Sequence, residues 1–220
     1  MFKSYSLYKK DYHSELRTRY AVNSLAMFII VAISVIMFSI GNERITQSLT
    51  SGLFWVVIFF SAMSGLARAF VSEEERGTSL ILQLIASPTT VLSGKLLFNL
   101  ILTFCMNTVI TILYAALFNE FILRNFPLFV VSFILSSIGL AVSSTIIAAI
   151  ISKAGAKGTL YPVLAFPILL PLILISVQLT LYSILGTSFA DAEFDLVIVF
   201  SYDVIMVTAS YMLFDFVWKD

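Results

Sequence analysis

Residues 160–184 read LYPVLAFPILLPLILISVQLTLYSI and contain no charged side chain. A helix needs about 20 apolar residues to cross the hydrocarbon core of a bilayer, so this run is long enough to span it. Five further segments are long and apolar enough, at residues 22–40, 49–67, 96–118, 128–151 and 196–216. Their apolar residues are continuous rather than alternating, which favours helices over a β-barrel. The sequence therefore predicts an all-α integral membrane protein with six transmembrane helices in one domain, residues 1–220.

The composition agrees with a membrane protein and excludes several other classes. Of the 220 residues, 60% are hydrophobic and 12% are charged, and the mean hydropathy is +1.00. A soluble domain carries about 25% charged residues. The net charge is zero, so no basic surplus indicates nucleic-acid binding. Cys105 is the only cysteine, which excludes an intrachain disulfide and a zinc site built from several thiolates.

Lysine and arginine are distributed unevenly between the two sides of the predicted spans. Two of them, Arg44 and Arg124, lie on one side, and eleven lie on the other. Because cytoplasmic loops carry the excess of Lys and Arg, both termini and residues 68–95 are expected in the cytoplasm. The acids Asp191, Glu193 and Asp195 are expected in an outer loop. The eleven are Lys3, Lys9, Lys10, Arg17, Arg19, Arg68, Arg76, Lys95, Lys153, Lys157 and Lys219.

The N-terminal residues 1–21 precede the first apolar run and mix aromatic with basic side chains. This run is of spanning length and follows about twenty charged and aromatic residues, so a cleavable signal peptide is not expected. Tyr5, Tyr8, Tyr12 and Leu16 recur at near-helical spacing and give the segment an apolar side. The pattern predicts an interfacial helix at the inner membrane surface, with a disordered basic tail as the alternative.

The longest polar interruption, residues 68–95, contains a predicted helix at 72–87. Ser72 and Glu75 have the spacing of a capping box, which satisfies free amides at the start of a helix. Leu80, Ile81, Leu84 and Ile85 share one helical face. Ser87-Pro88 ends the helix, since the residue before a proline avoids the α region. Two interpretations stay open: an interfacial linker, or a docking helix for a soluble partner.

The chain lacks the motifs of an ATPase or of another enzyme. A P-loop needs Gly-x4-Gly-Lys-Ser/Thr, and only Gly94-Lys95 resembles it, with Thr89 in place of the first Gly and Leu96 after the Lys. His13, the only histidine, precedes the first span, so no span offers a histidine to haem iron or to a metal. We expect a non-catalytic membrane subunit that binds no cofactor or metal itself.

A few polar side chains lie within the spans. Asp203 is the only acid well inside one, where a charge costs about 2.5–3.5 kcal/mol on insertion scales and marks a functional site by default. It also lies some seven residues from the acidic outer loop, so facing the outer water is the alternative. Four polar residues recur every fourth position and form a ridge that bonds neighbouring helices or lines a substrate path: Asn99, Thr103, Asn107 and Thr111.

Two further patterns concern helix packing. Span 4 has a face of small residues that predicts close helix contact: Ser132, Ser136, Gly139 and Ser143. Span 5 contains Pro162, Pro167 and Pro171. Each proline removes a backbone hydrogen bond, so a conformational kink is expected there.

The ordered set of motifs resembles the haem exporter protein B family, the permease of an exporter-type ABC transporter in cytochrome c-type biogenesis. The resemblance runs nearly end to end. One departure is that many members read Gly-Thr/Ser-Leu-Glu shortly before Ser-Pro, whereas Gly77 to Pro88 lacks that acid here. The motifs are Asn23, RAF at 68–70, the acids at 73–75, Gly77-Thr78, Ala86-Ser87-Pro88, Lys95, LAFPILLP at 164–171 and FDFVWKD at 214–220.

The resemblance implies an inner-membrane homodimer that works with a cytoplasmic ABC ATPase, a haem-handling membrane subunit and a small membrane subunit. ATP hydrolysis in the partner would drive haem delivery or release of a haem-loaded periplasmic chaperone. An exporter permease for another cargo and a membrane scaffold that transduces no energy are the alternatives. The predicted ATPase contact is the coupling helix at 72–87, with the residues Glu73, Glu74, Glu75, Arg76, Gly77, Thr78, Leu80, Ile81, Leu84, Ser87 and Pro88.

Overall fold

The computed structural model describes residues 20–41, 43, 45–66, 84, 86–153 and 161–219. Within these residues the chain forms six helices, and all six are long and apolar enough to cross a membrane, as predicted. The predicted interfacial helix and nearly all of the coupling helix at 72–87 lie outside the described residues. The helices are α1 (Tyr20–Ile40), α2 (Gln47–Gly65), α3 (Pro88–Leu117), α4 (Phe126–Lys153), α5 (Tyr161–Leu185) and α6 (Phe189–Lys219).

The helices run up and down, so the bundle has two distinct ends. At the first, termed the Lys95 end, Ser93 near the start of α3 meets Tyr211 near the end of α6, with 2.9 Å between their hydroxyls. At the second, termed the Asn125 end, α5 ends beside the start of α4. The backbone amide of Asn125 donates to the carbonyl of Ser183 at 2.9 Å.

Two helices begin seven or more residues earlier than the spans predicted from hydropathy. α3 begins at Pro88 rather than near residue 96, because proline lacks an amide hydrogen and fits the first helical position. α6 begins at Phe189, so the prediction that the acids at 191–195 lie in a loop is wrong. Ser188 caps this end: its hydroxyl accepts from the Asp191 amide and donates to the Asp191 carboxylate at 2.7 Å. Acidic side chains are favoured at the positive end of a helix dipole.

The turns at the Asn125 end depend on two specific residues. Gly186 ends α5 with φ 81°, a left-handed conformation that glycine adopts without a steric penalty. Its amide and that of Thr187 both donate to the carbonyl of Tyr182, at 2.9 and 3.0 Å. Asn125 accepts from the Leu128 amide and donates to the Thr187 carbonyl, so the α5–α6 turn is tied to the start of α4.

Helix α4 lies at the centre of the bundle. It packs against α3, α5 and α6, whereas α1 packs mainly against α2. In the apolar stretch of α4, 78% of the residues are buried, against 17% in α1 and in α6. All four residues of the small face predicted for span 4 are buried. Small side chains let neighbouring backbones approach closely, which is why this helix can occupy the centre.

An aromatic cluster fills the interior near the Asn125 end. Phe54 of α2 contacts Tyr114 of α3 edge to face at 5.3 Å between ring centroids, and Phe121 at 5.0 Å. Phe129 of α4 completes the cluster at 6.1 Å from Phe121. All four rings are at most 5% exposed, so this end of the bundle is densely packed.

Candidate functional site

The interface between α3 and α4 contains two matching hydrogen bonds between buried side chains. The Asn99 amide nitrogen donates to Thr145 Oγ1 at 2.9 Å, and the Asn107 amide nitrogen donates to Ser137 Oγ at 2.9 Å. All four residues are at most 1% exposed. The polar ridge of span 3 therefore faces α4 inside the chain.

The two bonds define the antiparallel register of α3 and α4. Asn99 and Asn107 are eight residues apart on α3, and their partners are eight residues apart on α4 in the opposite direction. Thr103, midway between the two asparagines, therefore lies opposite Ala141. Thr103 is fully buried, and in the part of the chain that the structure describes its hydroxyl has no hydrogen-bond partner. The Ala141 carbonyl already accepts from Thr145 Oγ1 at 2.6 Å. Thr111, the last residue of the ridge, bonds within α3 to the Asn107 carbonyl at 2.8 Å.

A second set of contacts joins α4 to α5 and α6. Tyr202 of α6 donates its hydroxyl hydrogen to the Ile168 carbonyl of α5 at 3.0 Å. Its hydroxyl also lies 2.8 Å from Ser143 Oγ of α4. Because Tyr202 has one hydrogen to donate, Ser143 is the donor in that contact. By the same reasoning Ser136 donates to Ser176 at 2.6 Å, since Ser176 donates to a backbone carbonyl of its own helix.

Asp203 lies beside these contacts in the interior of the bundle. Its side chain is 6% exposed, and neither carboxylate oxygen has a hydrogen-bond partner among the described residues. The carboxylate sits against Gly139 of α4 so closely that a methyl group at Gly139 would collide with Oδ1. The same methyl group would lie 3.0 Å from Leu172 of α5. Asp203 is therefore buried inside the bundle and does not face the outer water.

Helix α5 continues through its prolines. Pro162 lies in the first turn, where an amide hydrogen would have no partner within the helix. Pro167 and Pro171 lie inside the helix and point outward from the bundle. The bond from Tyr202 reaches the Ile168 carbonyl, in the turn between these two prolines. This carbonyl is not one that the prolines free, because a proline leaves the carbonyl four residues before it without its helical donor, here those of residues 163 and 167.

The start of α3 carries the described part of the predicted partner contact. Leu84 is 88% exposed, and Ser87, also exposed, shares a hydrogen bond with Thr90 at 2.8 Å between hydroxyls. Pro88 follows as the first residue of α3, and Lys95 is 3% exposed two turns later. The other predicted contact residues lie outside the described residues: Glu73, Glu74, Glu75, Arg76, Gly77, Thr78, Leu80 and Ile81.

The buried polar contacts join the helices of a bundle with six helices that are long and apolar enough to span a membrane. The sequence motifs of this chain resemble those of a transporter family. A family model described as CcmB protein matches residues 2–213. The chain belongs to the CcmB family. No curated protein matches it. The match to the family model confirms the resemblance to the haem exporter protein B family.

Membership in the CcmB family defines the general role of the chain. It is a permease-type, multi-pass inner-membrane subunit of the Ccm complex, the haem-exporting ABC transporter of cytochrome c biogenesis, in which it works with other Ccm subunits. The alternative of an exporter for an unrelated cargo is therefore set aside. Within the ranges that the structure describes, no three His, Cys, Asp or Glu side chains lie together as a metal site requires.

The sequence located polar residues of this CcmB chain but not the residues that they contact. Tyr202, Ser137 and Thr145 were not singled out, because a hydroxyl-bearing residue in an apolar run has no distinctive pattern. Trp55 of α2 likewise donates to Thr180 of α5 at 2.8 Å, across 125 residues of sequence. Only the register between helices brings such pairs together.

Proposed function

We propose that this CcmB chain is the permease subunit that couples ATP hydrolysis by a separate cytoplasmic ATPase to haem delivery, or to release of a haem-loaded periplasmic chaperone. The observation that carries the proposal is the central position of α4 and its hydrogen bonds to α3, α5 and α6. A displacement of one helix acts on its neighbours through such contacts, because close-packed interiors transmit strain.

The same contacts support a mechanical role for this subunit rather than one as a haem conduit. Asn99 and Asn107 meet α4 directly at 2.9 Å, so a single chain offers no haem-sized gap between α3 and α4. We infer that haem is handled by other subunits of the complex, that ATP is bound by the partner ATPase, and that this chain binds neither. The chain would act as a homodimer within that complex.

The ATPase would dock at the Lys95 end, on the cytoplasmic side. The uneven distribution of Lys and Arg supports this orientation, with both termini in the cytoplasm. The order of the chain supports the docking site, because residues 72–87 lie in the connection between α2 and α3 and are followed directly by Pro88. Force applied to this segment would act on α3 and, through α3, on α4.

Labelling of introduced cysteines tests the orientation. In a Cys105→Ser background, Thr89→Cys and Asn119→Cys place one exposed thiol at the Lys95 end and one at the other end. A membrane-impermeant maleimide should label the Asn119→Cys chain in intact spheroplasts and the Thr89→Cys chain only after permeabilisation. The reverse pattern would contradict a cytoplasmic Lys95 end.

Substitution of Leu84 tests the docking site. Leu84→Asp replaces an apolar side chain that is 88% exposed. Burying a leucine contributes about 1.5–3 kcal/mol, so its loss should weaken ATPase binding by roughly ten- to hundredfold. Ile122→Asp is the matched control, since Ile122 is 65% exposed at the opposite end and should retain full binding. Equal ATPase copurification with both variants would argue against docking through this helix.

The alternative role, a scaffold that transduces no energy, is tested with a variant of the partner ATPase rather than with a variant of this chain. A partner ATPase whose P-loop lysine is replaced should still copurify with this chain. Energy coupling then predicts that the haem-loaded chaperone is not released and that covalent haem on c-type cytochromes is lost. Normal cytochrome maturation with this inactive ATPase would favour the scaffold.

A further inference from the structure

We propose that Asp203 is a proton-binding site inside the membrane bundle, a neutral carboxylic acid held between α4 and α6. The family assignment and the proposed coupling role do not involve this residue, and the inference does not depend on either.

The first argument is the shape of the site. Asp203 is 6% exposed and occupies space that exists because residue 139 is glycine. An alanine there would collide with Oδ1. The carboxyl group is therefore enclosed by α4 on one side and by Leu172 of α5 on another, so water has little access to it.

The second argument is that the site contains no partner for a charge. In the described chain, no donor reaches Oδ1 or Oδ2. The neighbouring hydroxyl of Tyr202 donates elsewhere, to the Ile168 carbonyl. A buried carboxylate without hydrogen bonds or a counter-ion is strongly disfavoured, whereas the neutral acid loses much less on leaving water.

Helices α4 and α5 provide no compensating base beside Asp203. Residues 126–152 of α4 and 163–181 of α5 contain no acidic or basic side chain. On α6 the nearest other acids are Asp195 and Asp215, about 12 Å and 18 Å along the axis at 1.5 Å per residue.

Helix α3 carries one basic residue, Lys95, which lies near the end of the bundle where Ser93 meets Tyr211 of α6. Lys95 is two residues from Ser93, whose partner on α6 is Tyr211, eight residues beyond Asp203. No hydrogen bond joins Lys95 to Asp203, since neither carboxylate oxygen of Asp203 has a hydrogen-bond partner in the described residues. The proton is then the ligand that fits this site, in preference to a metal or organic cation, which would need further oxygen ligands.

The proton also has a structural consequence. While the acid is neutral, α6 can lie directly on Gly139. Release of the proton would create a charge that this contact cannot accommodate, so proton release and separation of α6 from α4 would occur together.

Infrared difference spectroscopy tests the protonation state directly. The complete complex would be reconstituted in lipid, and the spectrum of the Asp203→Asn variant subtracted from that of the wild type at neutral pH. We expect the difference to contain a carboxylic-acid C=O stretch that shifts in deuterium oxide. Asp191→Asn, which changes an exposed acid of the same helix, should remove carboxylate bands instead. Carboxylate bands in the Asp203→Asn difference would overturn the proposal and would indicate a bound cation.

The yield of the complex provides a second measurement. Asparagine keeps the shape of a neutral aspartic acid, so the Asp203→Asn variant should assemble to the wild-type level with an unchanged melting temperature. Loss of the complex in this variant would also overturn the proposal, because it would mean that the negative charge is required. The Asp191→Asn variant controls for general effects of the substitution on α6.

Discussion

Replacing Gly139 by alanine tests the contact between α4 and α6 with a single methyl group. The added carbon would collide with Asp203 Oδ1 and would lie 3.0 Å from Leu172. Asp203 has a short side chain and is 6% exposed, so it has little space into which to rotate. Overpacking of this kind costs about 1–3 kcal/mol. The helix gains roughly 0.8–1.0 kcal/mol from replacing glycine by alanine, which partly offsets that cost.

Gly52→Ala separates these two effects. Gly52 lies inside α2, and a methyl group there would have nothing within 4 Å. This variant should therefore report the gain in helix propensity alone. The difference in unfolding free energy between the Gly139→Ala and Gly52→Ala variants is then the steric cost, about 1–3 kcal/mol.

A double-mutant cycle identifies the atom responsible. Asp203→Ala removes the carboxylate, leaving only Leu172 close to the new methyl group. Gly139→Ala should then cost less in this background, by an interaction energy of about 0.5–3 kcal/mol. Reversible unfolding of the purified chain in detergent, followed by circular dichroism, gives all four values. If Gly139→Ala and Gly52→Ala have the same effect, or if the cycle is additive, the close packing of Gly139 against Asp203 is refuted.

Three other substitutions should change the unfolding free energy in known directions, measured by the same denaturation. Ala141→Ser gives the buried Thr103 hydroxyl a partner and should stabilise the chain by about 0.6 kcal/mol, the average for hydrogen bonds between membrane helices; destabilisation would contradict the register. Trp55→Phe removes the 2.8 Å bond to Thr180 and should destabilise by about 0.6–1.7 kcal/mol, whereas no change would mean that the bond is replaced. Gly186→Ala forces a side chain into φ 81° and should destabilise by about 1–2 kcal/mol, and a neutral result would exclude the left-handed turn.

The number and position of the membrane helices follow from hydropathy because a span must be apolar over a length that the bilayer determines. Their ends do not follow from hydropathy. α6 extends seven residues before the predicted start at 196, because its first turns carry Asp191, Glu193 and Asp195. Acidic residues lower hydropathy and yet favour the start of a helix. A hydropathy criterion therefore places the start of α6 later in the chain than the structure does.

The polar interior was predictable in part. The spacing of Asn99, Thr103 and Asn107 is enough to place them on one face of α3. Their partners are not predictable from spacing, since Thr145 is 46 residues from Asn99 in sequence. Asp203 and Gly139 were recognised separately, as an acid within a span and as part of a small-residue face. Their contact depends on the register between α4 and α6, which no local pattern encodes.

The Asn125 end and the middle of the bundle resist movement to different degrees. Near the Asn125 end, large rings of α2, α3 and α4 interlock, and displacing one requires the others to repack. Along the middle of α4, the contacts are small side chains and single hydrogen bonds, such as Asn107 to Ser137. Bonds of this kind contribute about 0.6 kcal/mol each on average, so breaking one takes little free energy.

A shear along α4 would therefore exchange weak bonds without forcing large side chains past one another, as in sliding motions between packed helices. Asp203 is the exception, because its carboxyl group fits only against a glycine. A one-turn shift would oppose it to Leu135 or Ser143 rather than Gly139. The contact between Gly139 and Asp203 thus selects one register of α4 and α6 among several that the hydroxyl contacts alone would tolerate.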